Sequence, residues 1–589
     1  MGKRNYYRFL FRYLGLVLFK RKTIGATLEK TAARHGGRVC VLFEDESITY
    51  AEMNRRANRR ANFFHGLGIA KGDVVCLLME NRPEFLATVL GLAKLGAVTA
   101  LINHNLKGRA LAHTLNLSGA QVLVVGQECL ETLDAVLPEL ERIPSDRIYV
   151  DTRWDAGGSG PAGLQHLNAL LTAAGEDNPH PPPLNSKDPV LYIYTSGTTG
   201  LPKAAIINHM RWFSAGLAMG SYALQVTQRD VVFCALPLYH SNGILIAFGA
   251  SLINGAALGL SRRFSAGGFW EEAVKFKATC FIYIGEVLRY LLNQAPGDAE
   301  TGHRITRILG NGLRPDIWPA FRERFGIADI REFYASTEGN AVTINMDNVA
   351  GSVGTPVLKS SDNTALVRYD VERDAYLRDT EGFCQRCDPG ETGELLGEIK
   401  AVTPFYGYTN PRETERKILH DVFRKGDAWF RTGDLLKKDE QGYYYFLDRI
   451  GDTYRWKGEN VSTQEVQEIL AGFNGMQLVN VYGVKMPGAD GRIGMAAIQL
   501  DGGQPFDGAA FHAFAAENLA GYALPGFVRV VQGMDLTGTF KIRKTDIQGE
   551  GFDPAATSDP LYYHDSREAT YAPLDAAVFQ RINSGALKL

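Results

Sequence analysis

A chain of 589 residues is too long for one hydrophobic core and predicts a large body with at least one smaller unit. Hydrophobic residues at 45% and charged residues at 22% describe an ordinary soluble protein, and a net charge of −2 supplies no electrostatic case for a nucleic-acid partner. Seven cysteines, an odd number spread along the chain, argue for a reducing, cytoplasmic compartment and against a disulfide framework.

The first two dozen residues stand apart. Lys3, Arg4, Arg8 and Arg12 alternate with Tyr6, Tyr7, Phe9, Leu10 and Phe11, and an apolar run from Tyr13 to Phe19 is closed by Lys20, Arg21 and Lys22. The uncharged run is far short of the ~20 residues of a spanning helix. No small-residue cleavage site follows it, so a secretory signal is disfavoured. The expectation is peripheral membrane contact, with basic side chains snorkelling to anionic headgroups; the alternative is a helix packed on the protein body.

From Thr27 the pattern turns α/β. Val39–Phe43 and Glu46–Tyr50 predict a short hairpin, and Ala51–Leu67 repeats apolar positions at helical spacing. Strand Asp73–Met79, a helix starting near Pro83 and stopped by Gly96, and strand Ala97–Ile102 form one βαβ unit, which implies a parallel sheet. Leu106–Ser118 and Gln121–Val125 repeat the alternation, and the Gly- and Pro-rich stretch from Gly157 to Asn185 reads as a surface connection.

That connection leads to the apolar run Pro189–Tyr194 and then to Thr195-Ser196-Gly197-Thr198-Thr199-Gly200-Leu201-Pro202-Lys203. Four hydroxyls and two glycines in six residues after a strand suit a loop around a polyanion, because glycine lets backbone N–H groups approach closely and Lys203 adds positive charge. A nucleoside triphosphate is the expected guest. The spelling is not that of a Walker A loop, since Pro202 precedes the lysine and Ala204 follows it.

Strand Val231–Leu236 ends at Pro237-Leu238-Tyr239-His240-Ser241-Asn242-Gly243, where His240 is a candidate to face the substrate. The small, apolar, glycine-bearing stretch from Gly243 to Leu260 fits either a wall for a flexible hydrophobic ligand or ordinary packing. Thr279–Tyr283 and Gly285–Leu292 read as strand then helix, and strand Arg304–Leu309 opens onto Gly310-Asn311-Gly312, with Gly310 a further substrate-side candidate. The stretch Ile330–Asn340 then delivers Tyr334, Thr337 and Glu338 near the end of a strand, where open α/β sheets bind ligands. Glu338 is the candidate Mg²⁺ ligand, since that ion takes one or two carboxylates plus phosphate oxygens. Cys384 and Cys387 form a lone CxxC and read as loop thiols. In Trp429–Asp434 a carboxylate is expected in a tight turn, suited to accepting both hydroxyls of a ribose. Tyr443–Leu447 reads as a strand and Asp448–Asp452 as a turn. A small α+β unit follows, with helix Thr463–Phe473 and strand Gln477–Val484.

Thr195 to Lys203, Tyr334 to Glu338, Thr432 to Asp434, Asp448-Arg449 and Lys541 together resemble the superfamily of adenylate-forming enzymes, which includes acyl-CoA synthetases and luciferases. The stretches Tyr192–Ile206, Gly310–Asp316, Arg455–Ser462, Thr537–Lys541 and Asp559–Tyr563 are similar to its fatty acid transport protein branch, also called very-long-chain acyl-CoA synthetases. The resemblance implies a large N-terminal domain over 27–448 with βαβ sheets, built of several subdomains, and a small mobile α+β cap over 449–589, after a basic N-terminal segment at 1–26. It implies activation of a long- or very-long-chain fatty acid by ATP to acyl-AMP, then transfer to coenzyme A. By this likeness Thr195, Ser196, Gly197, Thr198, Thr199, Gly200 and Lys203 hold phosphates, Tyr334 stacks on adenine near Gly312, and Thr337 and Glu338 meet phosphate and Mg²⁺. Asp434 takes the ribose, Arg449 reaches ribose or phosphate, Arg455 serves the thioester step, and Lys541 bridges carboxylate and α-phosphate.

Three positions depart from the superfamily: Gly451 at the hinge usually held by Asp or Lys, Ala335 in place of a glycine, and Phe540 before the lysine, the last matching this branch. Two other functions are weighed beside the synthetase, namely a lipid-binding or transport protein with secondary ligase activity and an acyl-AMP ligase serving a carrier protein. The composition is silent on oligomeric state.

Overall fold

The computed structural model describes every residue except 1–2, 19–20, 153–163, 181–182, 197–201, 316, 358–361, 372, 457–458, 488–491, 534–544 and 588–589. Backbone contacts divide the chain into two compact units, one formed by Met1–Leu313, Phe321–Val349 and Ile399–Ile418, the other by Arg314–Ala320, Ala350–Glu398 and Leu419–Leu589.

The first unit is built on two largely parallel sheets. In one, the strands run Gln165–His166, Ile148–Asp151, Val122–Gly126, Val74–Leu78, Val98–Ile102, Pro189–Ser196 and Pro202–Asn208, parallel except for the last pair. The predicted βαβ unit is its centre. Pro83 occupies the first helical turn of Pro83–Leu95, where a missing N–H is harmless, and Gly96 ends the helix in the left-handed conformation at φ 77°. Every residue of that helix is buried, which accounts for its nearly continuous apolar sequence.

The second sheet runs Asp329–Tyr334, Arg307–Asn311, Cys280–Ile284, Val231–Cys234, Ala257–Leu260 and Val39–Phe43, all parallel, with Glu46–Thr49 closing one edge as the predicted hairpin partner. Parallel strands buried on both faces read as apolar runs, as Cys280–Ile284 does with every residue buried. Their C-terminal ends carry His240, Gly285, Gly312 and the 335–338 segment, so the candidate residues gather at one end of one sheet.

One expectation is corrected here, and of two alternatives left open by the sequence one gains support. The stretch expected as a plain surface connection contains strand Gln165–His166, paired with Tyr149 and Val150, and helix Leu167–Leu171. Its period was too short to show against the surrounding glycines and prolines. The small residues near Gly243–Leu260 are explained by packing: a Cβ on Gly220 would stand 2.5 Å from the Cβ of Ala250, and one on Gly243 would stand 2.4 Å from the carbonyl oxygen of Pro237.

In the second unit, strands Thr364–Val367, Thr392–Glu398, Ala428–Lys438 and Tyr444–Arg449 form an antiparallel sheet. A further sheet runs Met476–Lys485, Arg492–Leu500, Phe527–Val530, Leu561–Asp565 and Thr570–Pro573, covered by helices that include Thr463–Leu470 and Gly508–Asn518. Its core holds Val466, Leu470, Val481, Met495, Ile498, Phe511 and Phe527. Helix Thr463–Leu470 is three residues shorter than its apolar spacing predicted, and Ser462 caps it by accepting from the Glu465 amide. Cys384 is buried and its amide donates to Val422, so this half of the CxxC is tied to the sheet region.

Candidate functional site

In the first unit the hydroxyl-rich stretch begins as the end of strand Pro189–Ser196, where Thr195 lies opposite Lys203 and Ser196 opposite Pro202. Gly197, Thr198, Thr199, Gly200 and the side chain of Ser196 lie outside the described residues. Lys203 Nζ forms an ion pair with Glu413, which holds that carboxyl below its ordinary pKa. Strand Pro202–Asn208 is in turn laced to 407–409: Ile206 N–H donates to Gly407 O at 3.0 Å, and Thr409 N–H donates to Ala204 O at 3.0 Å.

This lacing carries Tyr408 to the other candidate cluster. Its hydroxyl donates to Glu338 Oε1 at 2.6 Å, and burial next to that carboxylate pushes the phenol far above its ordinary pKa. Thr337 Oγ1 sits 3.2 Å from Ser241 Oγ, and Arg211 Nη2 donates to the carbonyls of Ser336 at 2.8 Å and Thr337 at 3.2 Å. One Glu338 oxygen and one Thr337 hydroxyl are therefore held in place by the protein. A hard oxygen donor set of this kind fits Mg²⁺.

The turn at Gly312 is fixed from beneath. Glu332, 2% exposed, accepts from Gly312 N at 2.9 Å, from Leu313 N at 3.2 Å and from the Tyr283 hydroxyl at 2.5 Å. Burial pushes the Glu332 carboxyl up to about 8. Gly312 takes φ +83°, and a Cβ on Gly285 would stand 1.6 Å from the Gly312 carbonyl oxygen, so both glycines are required by the turn. Asn242 Nδ2 donates to Asn311 Oδ1 at 3.0 Å from the side. Tyr334, two residues after Glu332 and on the same face of its strand, is 8% exposed.

His240 is half-buried, and its Nδ1 accepts from the Asn242 amide at 3.4 Å. Gly310 is a packing position, since a Cβ there would stand 2.3 Å from the Tyr283 carbonyl oxygen.

In the second unit, the turn expected at Thr432-Gly433-Asp434 is instead part of the continuous strand Ala428–Lys438, bulged where Gly433 takes φ +80°. Glycine there allows a bulge without ending the strand, which looks like a turn in one dimension. Asp434 lies opposite Arg449, with Oδ1 3.6 Å from its Nε, and the Arg449 side chain is 52% exposed. Asp448, expected in a turn, still belongs to strand Tyr444–Arg449; it is buried and accepts from the amide of Thr463 at 2.6 Å, anchoring the helix that follows. Gly451 is exposed, and a Cβ there would meet nothing within 4 Å. Arg455 lies in strand Tyr454–Trp456 opposite Asn460, its side chain outside the described residues, as is the whole of Lys541.

Structure thus brings together Thr337, Glu338, Tyr334 and Gly312 in one unit and Asp434 with Arg449 in the other. Tyr408, Glu413, Arg211 and Glu332 escape sequence reading, because each acts on a partner that sequence spacing does not announce. A faint signal exists for one of them: Glu332 is a carboxylate inside strand Asp329–Tyr334, on the face it shares with Ile330 and Tyr334.

A family model described as AMP-binding enzyme matches residues 28–408. Long-chain fatty acid transport protein 2 of Rattus norvegicus is 41% identical over 562 residues, covering 93% of this chain and 88% of that protein. The medium/long-chain-fatty-acid–CoA ligase FadD6 of Mycobacterium tuberculosis is 38% identical over 566 residues, covering 96% and 92%. Among solved structures, a Mycobacterium tuberculosis fatty acyl CoA synthetase is 26% identical with a TM-score of 0.62, covering 90% of this chain and 98% of that one. The anthranilate CoA ligase AuaEII, at 24% identity and a TM-score of 0.76 over 89% of this chain and 96% of that one, shares the fold. With a family model spanning well over half of its length and relatives alike across nearly all of it, the chain belongs to the AMP-binding enzyme family.

Proposed function

We propose that the protein is an AMP-forming fatty acid–CoA ligase for long- or very-long-chain acids. The observation that carries the reading is the tie from strand Pro202–Asn208 through Tyr408 to Glu338, which couples the hydroxyl-rich loop's own strand to the candidate metal carboxylate. Relatives named as a fatty acid–CoA ligase and as long-chain fatty acid transport proteins support the choice of acid.

In this reading the acid's carboxylate attacks the α-phosphate of ATP, pyrophosphate leaves, and the thiol of coenzyme A then displaces AMP from the acyl-AMP. Two anions must meet, so preorganised donors and cations have to offset their repulsion. Thr195 to Lys203 bind the outer phosphates, Lys203 exchanging Glu413 for phosphate oxygens. Tyr334 stacks on the adenine over the turn that Glu332 holds, and Thr337 orients a phosphate. Glu338 would hold Mg²⁺, which supplies charge neutralisation at the phosphates. Asp434 accepts from the ribose, Arg449 reaches ribose or phosphate, and Lys541 meets the reacting carboxylate. His240 and Gly310 line the acid's side. Division of the chain into a body over 27–448 and a cap over 449–589, turning at Gly451 and presenting Arg455 for thioester formation, is part of the same proposal.

Contact with the cytoplasmic face of a membrane through the basic N-terminal segment completes the reading. Among the described residues no helix is long and apolar enough to cross a membrane.

Purified protein incubated with ATP, Mg²⁺, coenzyme A and a panel of acids from short to very long should release AMP in a coenzyme A-dependent way with the long acids. AMP release that ignores coenzyme A would favour a carrier-protein ligase, and no release with any acid would overturn the proposal.

A further inference from the structure

Helix Lys3–Leu18 has two apolar faces, and only one of them meets the protein. On the inner face Phe9 and Leu16 are buried, and the Phe9 ring stacks on Tyr222 at 5.1 Å. Arg12 bolts that face down, donating to Ser221 Oγ at 3.0 Å, Asn254 Oδ1 at 2.9 Å and Ile253 O at 3.1 Å. On the other side Tyr7, Phe11, Leu14 and Leu18 are 62%, 80%, 54% and 65% exposed. At about 100° per residue their 4-3-4 spacing confines them to an arc of roughly 60°, opposite Phe9 and Leu16. Half of the large hydrophobic side chains exposed among the described residues stand on this one helix.

Charge names the occupant. Residues 1–22 contain seven basic residues and no acidic one, in a chain whose net charge is −2; two of the seven are held by the protein, Arg12 as above and Lys22 with Nζ 4.6 Å from the centroid of the Phe213 ring. A second copy laid against the stripe would bring two such basic segments together, whereas an anionic bilayer surface complements both the apolar stripe and its flanks. At about 1.5 Å per residue the helix is about 24 Å long, shorter than a hydrocarbon core, and its inner face is already bound to protein.

We infer that Lys3–Leu18 is an in-plane anchor that inserts Tyr7, Phe11, Leu14 and Leu18 into an anionic lipid surface while remaining fastened to the first unit. Resting on the proposed ligase reading, the anchor also has a substrate consequence. Its inner face lies on Gly216–Ala223 and Phe248–Asn254, and Tyr13 interacts with Ser214 and Arg211, the arginine that holds the Ser336 and Thr337 carbonyls. Docking therefore sets the bilayer beside the unit that handles the acid, which is drawn from the lipid phase.

The test uses the full chain and vesicles of phosphatidylcholine alone or mixed equally with phosphatidylglycerol, in flotation without ATP. Wild type should bind the anionic vesicles at least tenfold more tightly than the neutral ones, and Phe11→Ser/Leu14→Ser should lose at least tenfold of that binding with its melting temperature unchanged. Tyr7→Ser/Leu18→Ser, on the same stripe, should repeat the loss. Binding by both double variants within twofold of wild type overturns the inference, as does a concentration-dependent dimer of the wild type that the variants abolish. In the ligase assay the variants should slow with vesicle-borne oleate and match wild type with oleate presented on serum albumin without vesicles. An inactive wild type that still floats would fail the ligase reading and leave the anchor standing.

Discussion

The polar groups at the strand ends of the first unit and the Asp434–Arg449 pair of the second are held by opposite means. Glu332 accepts three hydrogen bonds in a buried site, and Glu338 is gripped by Tyr408 at 2.6 Å, while Arg449 stands 3.6 Å from Asp434 and half in water. Buried, fully satisfied groups are preorganised, so changing them disturbs structure and rate together. A long ion pair whose arginine is half in water adds little to stability, and a ligand can compete for it at low cost.

The sharpest break with the first unit's pattern would come from Lys541, which lies outside the described residues. Lys541→Ala should lower ATP–pyrophosphate exchange by a hundredfold or more, the effect of removing one preorganised donor of about 3 kcal/mol, while thioester formation from supplied acyl-AMP stays largely intact. Equal damage to both half-reactions would deny it a role in the first step. Next, Tyr408→Phe removes a hydrogen bond to a charged group, worth about 1.5–3 kcal/mol. Exchange should fall about tenfold or more, with the apparent affinity for Mg²⁺ falling too; an unchanged metal dependence would detach Tyr408 from the metal carboxylate.

Glu332→Gln leaves an amide NH₂ facing one of the two backbone N–H groups, a mismatch of about 1–3 kcal/mol. The KM for ATP should rise several-fold more than kcat falls. Stability should change with pH as well. Burial raises the folded-state pKa to about 8, so folding draws in a proton above the ordinary carboxylate range. The stabilisation is complete below that range and is lost as pH rises through about 8. Denaturant titrations from pH 5 to 9 should show that slope in wild type and its loss in Glu332→Gln. A slope shared by both proteins would assign it to other groups.

The smallest effect on stability belongs to the second unit. Asp434→Asn loosens a 3.6 Å pair whose arginine is half in water, so it should shift unfolding by about 1 kcal/mol or less, yet raise the KM for ATP. A large loss of stability would show that the pair is structural and erase the contrast between the units.

Much of this was legible in one dimension. Alternating apolar strands and helices predicted the βαβ unit of Val74–Leu78, Pro83–Leu95 and Val98–Ile102, because strand and helix periods and the Pro83 and Gly96 signals are local. The Gly433 bulge was not, since glycine at positive φ marks a turn and a bulge alike. Nor was the second face of the N-terminal helix, because its composition announces aromatic and basic residues without saying which side the protein covers.

By itself the sequence determined the α/β class, the order of the motifs and membership of a family whose signatures are short and contiguous. Only the tertiary structure decided that Tyr408 grips Glu338, that Lys203 rests on Glu413 210 residues away, that Glu332 supports the Gly312 turn, and that Arg12 reaches Ser221 and Asn254. The physical reason is that a hydrogen bond between distant residues leaves no period in the chain: it exists only once parallel strands have brought their ends to one side of a sheet.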